Sequence, residues 1–276
     1  MRARRTAQPP PVARPWGQRK LLVALSVVLV TVVCLIAGLA SLVYSAIVPT
    51  QPTGQVTTAS QAVPSSDELA AAQRRDELAA ADMLAVSAQD AWRGTPAATP
   101  GPVIEVPESK LIGAARIPTG FPHTPEGAVG QLAEIKVAVL TEMSVGRTNE
   151  IHAAWSSSEA PGVEQWPLMS HVQSFLTSAH MGTVKEPGTT VLVIPVAAQV
   201  KATDGPDWVV ACVLSDVRAV VNVQARMAFG YCERMQWDGG RWVIAAGDPP
   251  ALAPSTWPDT DLAYRAGWRT WAKTGG

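Results

Sequence analysis

The 276-residue chain has three cysteines and four histidines, and none stands at a metal-ligand spacing: HExxH, HxH and CxxC are all absent. That removes the common zinc sites and the thioredoxin-like redox pair. A nucleophile elbow, a phosphate loop and a paired-carboxylate motif are missing as well. Phe and Tyr occur three times each, while Ala, Pro, Trp and Arg are used heavily, a bias that accompanies high-GC bacterial genomes. A pocket acid–base site could in principle be assembled from Glu126, Glu150, His152 or Asp216. Of the histidines, His123 reads with Glu126 as a cap and turn residue. The sequence therefore assigns no catalytic, cofactor-binding or metal-ligating residue, and the chain reads as non-enzymatic and without cofactor.

Charge is missing in two places. Residues 1–20 carry no acid but six basic residues: Arg2, Arg4, Arg5, Arg14, Arg19 and Lys20. Leu21 to Val48 then runs 28 residues without any charge, longer than the roughly 20 a helix needs to cross a bilayer. A cleaved secretory signal has an apolar region of roughly 7–15 residues and small residues before the cut. The nearest such site, Tyr44-Ser45-Ala46, has a bulky tyrosine at the outer position, so the run is expected to be an uncleaved transmembrane helix. The basic head then stays in the cytoplasm, and everything after Thr50 lies on the extracytoplasmic side of the cell membrane. Within the run, Cys34 reads as a small apolar residue. Ala37, Ser41 and Ser45 form a small-residue stripe that could let two such helices approach, leaving a homo-oligomer open. Sixteen of the 22 Lys and Arg but all 23 Asp and Glu follow the head. The exterior part is thus net negative, which argues against direct nucleic-acid binding.

Beyond the run, residues 49–120 read as a linker. Its first part, PTQPTGQVTTASQAVPSS, cannot bury enough apolar surface to order itself. A stalk helix is expected over about 67–92, where DELAA occurs twice and Ser66 or Asp67 can cap. Pro96, Pro100, Pro102, Pro107 and Pro118 then make an extended second spacer. An exterior domain is expected over 121–248. Thr124-Pro125-Glu126 starts a helix, and Ala128, Leu132, Ile135, Val139 and Met143 give it one buried stripe before Gly146. A second helix fits Thr148 to Trp155, and a third carries Trp166, Met169, Val172, Phe175 and Leu176. Strands follow over Thr189–Ala202, Trp208–Ala219, Val223–Trp237 and Arg241–Ala246, with Asp238-Gly239-Gly240 as a hairpin turn. Trp237 and Trp242 read as cross-strand packing. The fold class is α+β: one transmembrane helix, then three helices packed on a curved four-stranded antiparallel sheet. Residues 249–276 form a Pro-rich tail with a short helix over Asp259–Ala272.

Asn222 is the one turn-forming residue between Asp216 and Gly230, and it lies midway between Cys212 and Cys232. A hairpin centred there pairs Val209 with Met235, Val213 with Tyr231, Ser215 with Phe229 and Val217 with Met227, making one face almost wholly apolar. The same register sets Cys212 opposite Cys232 on the other face, within reach of a disulfide.

The stretches GFPHTPEGAVGQLAEIKVAVL (120–140) and CERMQWDGGRWVIAAG (232–247) resemble a family of actinobacterial bitopic membrane proteins associated with integrative and conjugative elements. The resemblance covers about Gly120 to Trp268. It implies a cone-like domain similar to nuclear transport factor 2, and a layout similar to the bitopic scaffold components of type IV secretion and conjugation machines. The expected function is thus a membrane-anchored, extracytoplasmic, non-enzymatic scaffold or interaction protein, with a part in conjugative DNA transfer. Its expected partners are the lipid bilayer, through residues 21–48, and other proteins of a membrane complex. The other reading is an extracytoplasmic module that binds a small ligand or lipid in the cavity of the cone.

Overall fold

The computed structural model describes residues 65–274. The basic head and the apolar run Leu21 to Val48 lie outside them, and among the described residues no helix is long and apolar enough to cross a membrane.

Helix α1 spans Ser66–Ala80, and Ser65 caps it by accepting from the Glu68 amide while Glu68 reaches back. It stops well short of Trp92, and a 3₁₀ turn, Ala88–Ala91, follows. Thr124 caps α2 (Pro125–Glu142) by accepting from the Gly127 amide. Met143 ends that helix in a left-handed conformation, φ 43°. Ser144 at once caps α3 (Val145–Trp155), so the second helix begins earlier than its sequence pattern suggests. Helix α4 spans Pro167–Ser178 and buries Leu168, Met169, Val172 and Leu176.

The strands are β1 (Val103–Pro107), β2 (Leu111–Ile112), β3 (Pro118–Thr119), β4 (Thr190–Thr203), β5 (Trp208–Val220), β6 (Gln224–Asp238), β7 (Arg241–Ile244) and β8 (Arg269–Thr274). Between β7 and β8 lies the five-residue helix α5, Asp261–Arg265. The expected four strands are all present as an antiparallel meander, and β6 turns into β7 through Gly239 and Gly240 at φ 55° and 86°. The positive dihedrals explain why that turn needs two glycines.

The expectation of a four-stranded antiparallel sheet on three helices is corrected. The sheet has six strands in the order β1-β8-β4-β5-β6-β7 and is mixed, because β1 runs parallel to β8. The two added strands come from the stretches that read as spacer and tail. Their pairing, Val103 with Thr270 through Pro107 with Thr274, joins segments too far apart in sequence for local patterning to reveal. Bulges between Pro195 and Ala197 and between Val200 and Ala202 bend β4, which curls the sheet.

The β5–β6 register is the expected one throughout, with Val209 opposite Met235, Cys212 opposite Cys232 and Val217 opposite Met227. Both faces of this hairpin are buried. Val209, Ala211, Val213, Tyr231 and Met235 face α2–α4. Trp208, Val210, Cys212, Leu214, Ala228 and Cys232 pack instead against Ala79 of α1 and against Ala263, Ala266 and Trp268 of the C-terminal segment. Helix α1 is therefore part of the domain. Its Arg74 and Arg75 pair with Asp204 after β4, and its last carbonyls accept from Lys201.

Candidate functional site: an apolar cavity at the end of the sheet

The long strands β4, β5 and β6 run past the helices, and a cavity of about 660 Å³ opens where they do so. That volume lies within the usual range for small-molecule sites. Helix α2 contributes Leu140 and Met143 to its lining, and α4 contributes His171 and Phe175 one turn apart. The sheet supplies Val217 and Ala219 from β5 and Ala225, Met227 and Phe229 from β6, all on the inner face. Ala88, Ala91 and Trp92 of the turn after α1 line it as well.

Side-chain size explains the space. Ala219 and Ala225 are cross-strand partners, and Val217 faces Met227. An alanine pair at the end of a curled hairpin leaves a gap that larger residues would fill. Among the lining residues, His171, Ser255 and, through its indole N–H, Trp92 carry side-chain nitrogen or oxygen atoms. No carboxylate, lysine or arginine takes part.

Lys136, one helical turn before Leu140, is fully buried but does not line the cavity. Its Nζ donates to the carbonyls of Val213 and Phe229 at 2.9 and 2.7 Å and stands 4.7 Å over the Phe229 ring. Burial pushes its ammonium well down in pKa, while the two carbonyls and the ring face hold the group in place. The amine is thus committed to joining α2 to the β5–β6 hairpin.

A second polar cluster lies between α3, α4 and the sheet. Glu233 accepts from Trp166 Nε1 at 2.9 Å, from the Arg234 amide at 3.1 Å and from the Tyr231 hydroxyl. Burial raises the Glu233 carboxyl above its usual range although these three donors oppose the shift. Burial, and then the adjacent Glu233, raise Tyr231 well above its ordinary value. His152 packs its ring 5.0 Å from that of Trp166, and burial pushes its pKa down. The cavity beside them measures about 10 Å³, room for a single water. The cluster fastens Trp166 to the sheet and has no space for a substrate.

The four acid–base candidates do not converge. His152 belongs to the Glu233 cluster. Glu150 is exposed and pairs with Arg147 within α3. Glu126 sits in the first turn of α2. Asp216 faces the opposite side of the sheet between Arg218 and Arg226, at 2.7 and 2.8 Å. Burial raises its carboxyl, but the two guanidiniums outweigh that and hold it below its usual range. His123 precedes the cap Thr124, stacks on Trp237 at 4.3 Å and pairs with Asp207 at 2.7 Å. Trp237 and Trp242 are cross-strand partners with rings 5.4 Å apart.

Sequence reasoning passed over Glu233 and Lys136, and it offered a cavity only through the resemblance, without the residues that line it. The first two carried a signal. Glu233 falls on the apolar face of the β5–β6 register, and Lys136 lies one turn after Leu132 on the buried side of α2. Cys212 and Cys232 are at disulfide distance, with Sγ atoms 1.94 Å and Cα atoms 4.0 Å apart. The pair lies on the face covered by α1, and Met83 Sδ is 3.7 Å from Cys232 Sγ.

Compared with known protein families, curated proteins and solved structures, this chain matches none.

Proposed function

We propose that the chain is a membrane-anchored, extracytoplasmic, non-enzymatic binding protein whose α+β domain takes an apolar ligand in this cavity. The observation that carries the reading is the cavity: about 660 Å³, open to solvent, lined chiefly by hydrocarbon and by no charged side chain. Such a lining gains from excluding water around hydrocarbon and offers no convergent groups for acid–base chemistry. The anchoring and its orientation rest on the basic head and on the uncharged run Leu21 to Val48. The closed Cys212–Cys232 bond suits the oxidising side of the membrane.

The test is native mass spectrometry of the full chain released from nanodiscs after exposure to N-phenyl-1-naphthylamine, a neutral aromatic probe. A saturable one-to-one adduct on the natural chain, lost in Met227→Trp, is the expected result. An adduct that survives cavity filling, or none at all, contradicts the reading.

A second reading, a scaffold within a conjugative DNA-transfer apparatus, is favoured by one surface. On the outer side of β4, Leu192 and Ile194 are 45% and 39% exposed, and they stand opposite Arg218 and Asp216. Crosslinking from Leu192 in the native membrane should capture other transfer proteins if that face is the contact. Normal transfer in a deletion strain would count against it.

A further inference from the structure

We propose that the cavity selects an uncharged, hydrocarbon-rich alcohol over a carboxylate or phosphate of the same chain length. The inference rests on the ligand-binding reading above and assigns the chemistry of the ligand's polar end.

Charge is the first argument. No lysine, arginine, aspartate or glutamate lines the cavity. The nearby amine, Lys136, is engaged by the Val213 and Phe229 carbonyls and stays behind the lining. An anionic end drawn into this site would lose its hydration and meet no counter-charge, which is a severe cost.

Hydrogen-bonding capacity is the second argument. Ser255 Oγ accepts from the Gly230 amide at 3.0 Å, and its own hydrogen has no acceptor among the described residues. His171 Nδ1 lies 2.5 Å from the Pro167 carbonyl. A carbonyl only accepts, so Nδ1 carries the ring proton and Nε2 of the neutral ring is left as an acceptor. The polar lining thus offers two neutral donors, the Ser255 hydroxyl and the Trp92 indole N–H, and one imidazole acceptor. A ligand hydroxyl, which both accepts and donates, can use a donor and the acceptor alike, whereas a carboxylate or phosphate cannot use the acceptor and finds no counter-charge.

The experiment uses the full chain in nanodiscs at pH 8. Decanol, decanoate and decane compete against bound N-phenyl-1-naphthylamine, with free concentrations corrected by empty nanodiscs. Decanol should displace the probe at a concentration at least tenfold below decanoate and below decane. His171→Leu and Ser255→Ala should each shrink the advantage over decane by threefold or more. Ser255→Ala also deprives the Gly230 amide of its acceptor, so the exposed His171→Leu keeps the test decisive if the other variant folds poorly. Displacement by decanoate at the same or lower concentration, or by decane as readily as by decanol, overturns the head-group assignment while leaving the apolar site standing. Failure of the probe itself to bind overturns both.

Discussion

Asp76 on α1 holds the guanidinium of Arg234 on β6 at 2.5 Å, and Arg234 is almost wholly buried while Asp76 is largely exposed. Gly247 leaves the guanidinium its space: a Cβ there would come within 2.3 Å of Arg234 Nη1. The contact joins the Ala79 packing and the bonds to Asp204 and Lys201 in making α1 a member of the domain and not a free stalk. Asp76→Ala should therefore leave a buried charge without its partner and cost about 2 kcal/mol. Removal of the exposed Arg74 should cost far less, because solvent screens its pair with Asp204. Urea unfolding measures both, and hydrogen exchange should show α1 opening in the Asp76 variant alone.

The cysteine pair predicts a covalent link. Non-reduced peptide mapping should recover Cys212 joined to Cys232. Replacing both by alanine should lower stability by about 3 kcal/mol, because the bond closes a loop with a sequence separation of 20. Alkylation of both Cys212 and Cys232 in the unfolded, unreduced chain would refute this.

Glu233 gives stability a pH dependence of definite sign. Its folded pKa is raised, chiefly by burial, so the folded state holds the proton more tightly than the unfolded chain does. Its contribution is complete below the ordinary glutamate value of about 4.3 and is lost as pH rises through the folded value. The difference in melting temperature between the natural chain and Glu233→Gln should therefore drift against the natural chain as pH rises from 4 toward neutrality. A difference that stays constant over that interval would show that Glu233 does not titrate abnormally.

What was legible in the sequence follows from the range of the signals. Asn222 and the alternation on either side of it set the β5–β6 register, because turn chemistry and side-chain parity act over a few residues. Thr124 and Pro125 mark the start of α2 for the same reason. β1 and β8 were hidden, since Val103–Pro107 sits among prolines and finds its partner at Arg269–Thr274, at the far end of the chain. Burial of both sheet faces was partly visible in the unbroken apolar start of β5, Trp208–Leu214. The docking of α1 draws in part on Asp76 meeting Arg234, a pairing of two residues that each look solvent-facing. The cavity left no local trace either, because Ala219, Ala225 and Met227 are ordinary core residues one by one, and only their placement on a curled hairpin creates a void.

Cavity binding is tested most directly by photolabelling the full chain in nanodiscs with a neutral alkyl diazirine, followed by peptide mapping. Saturable label on the peptides carrying Phe175, Met227 and Phe229, suppressed by excess decanol and absent from Met227→Trp, is the predicted result. Label confined to residues 21–48, or scattered over the domain without saturation, would contradict it.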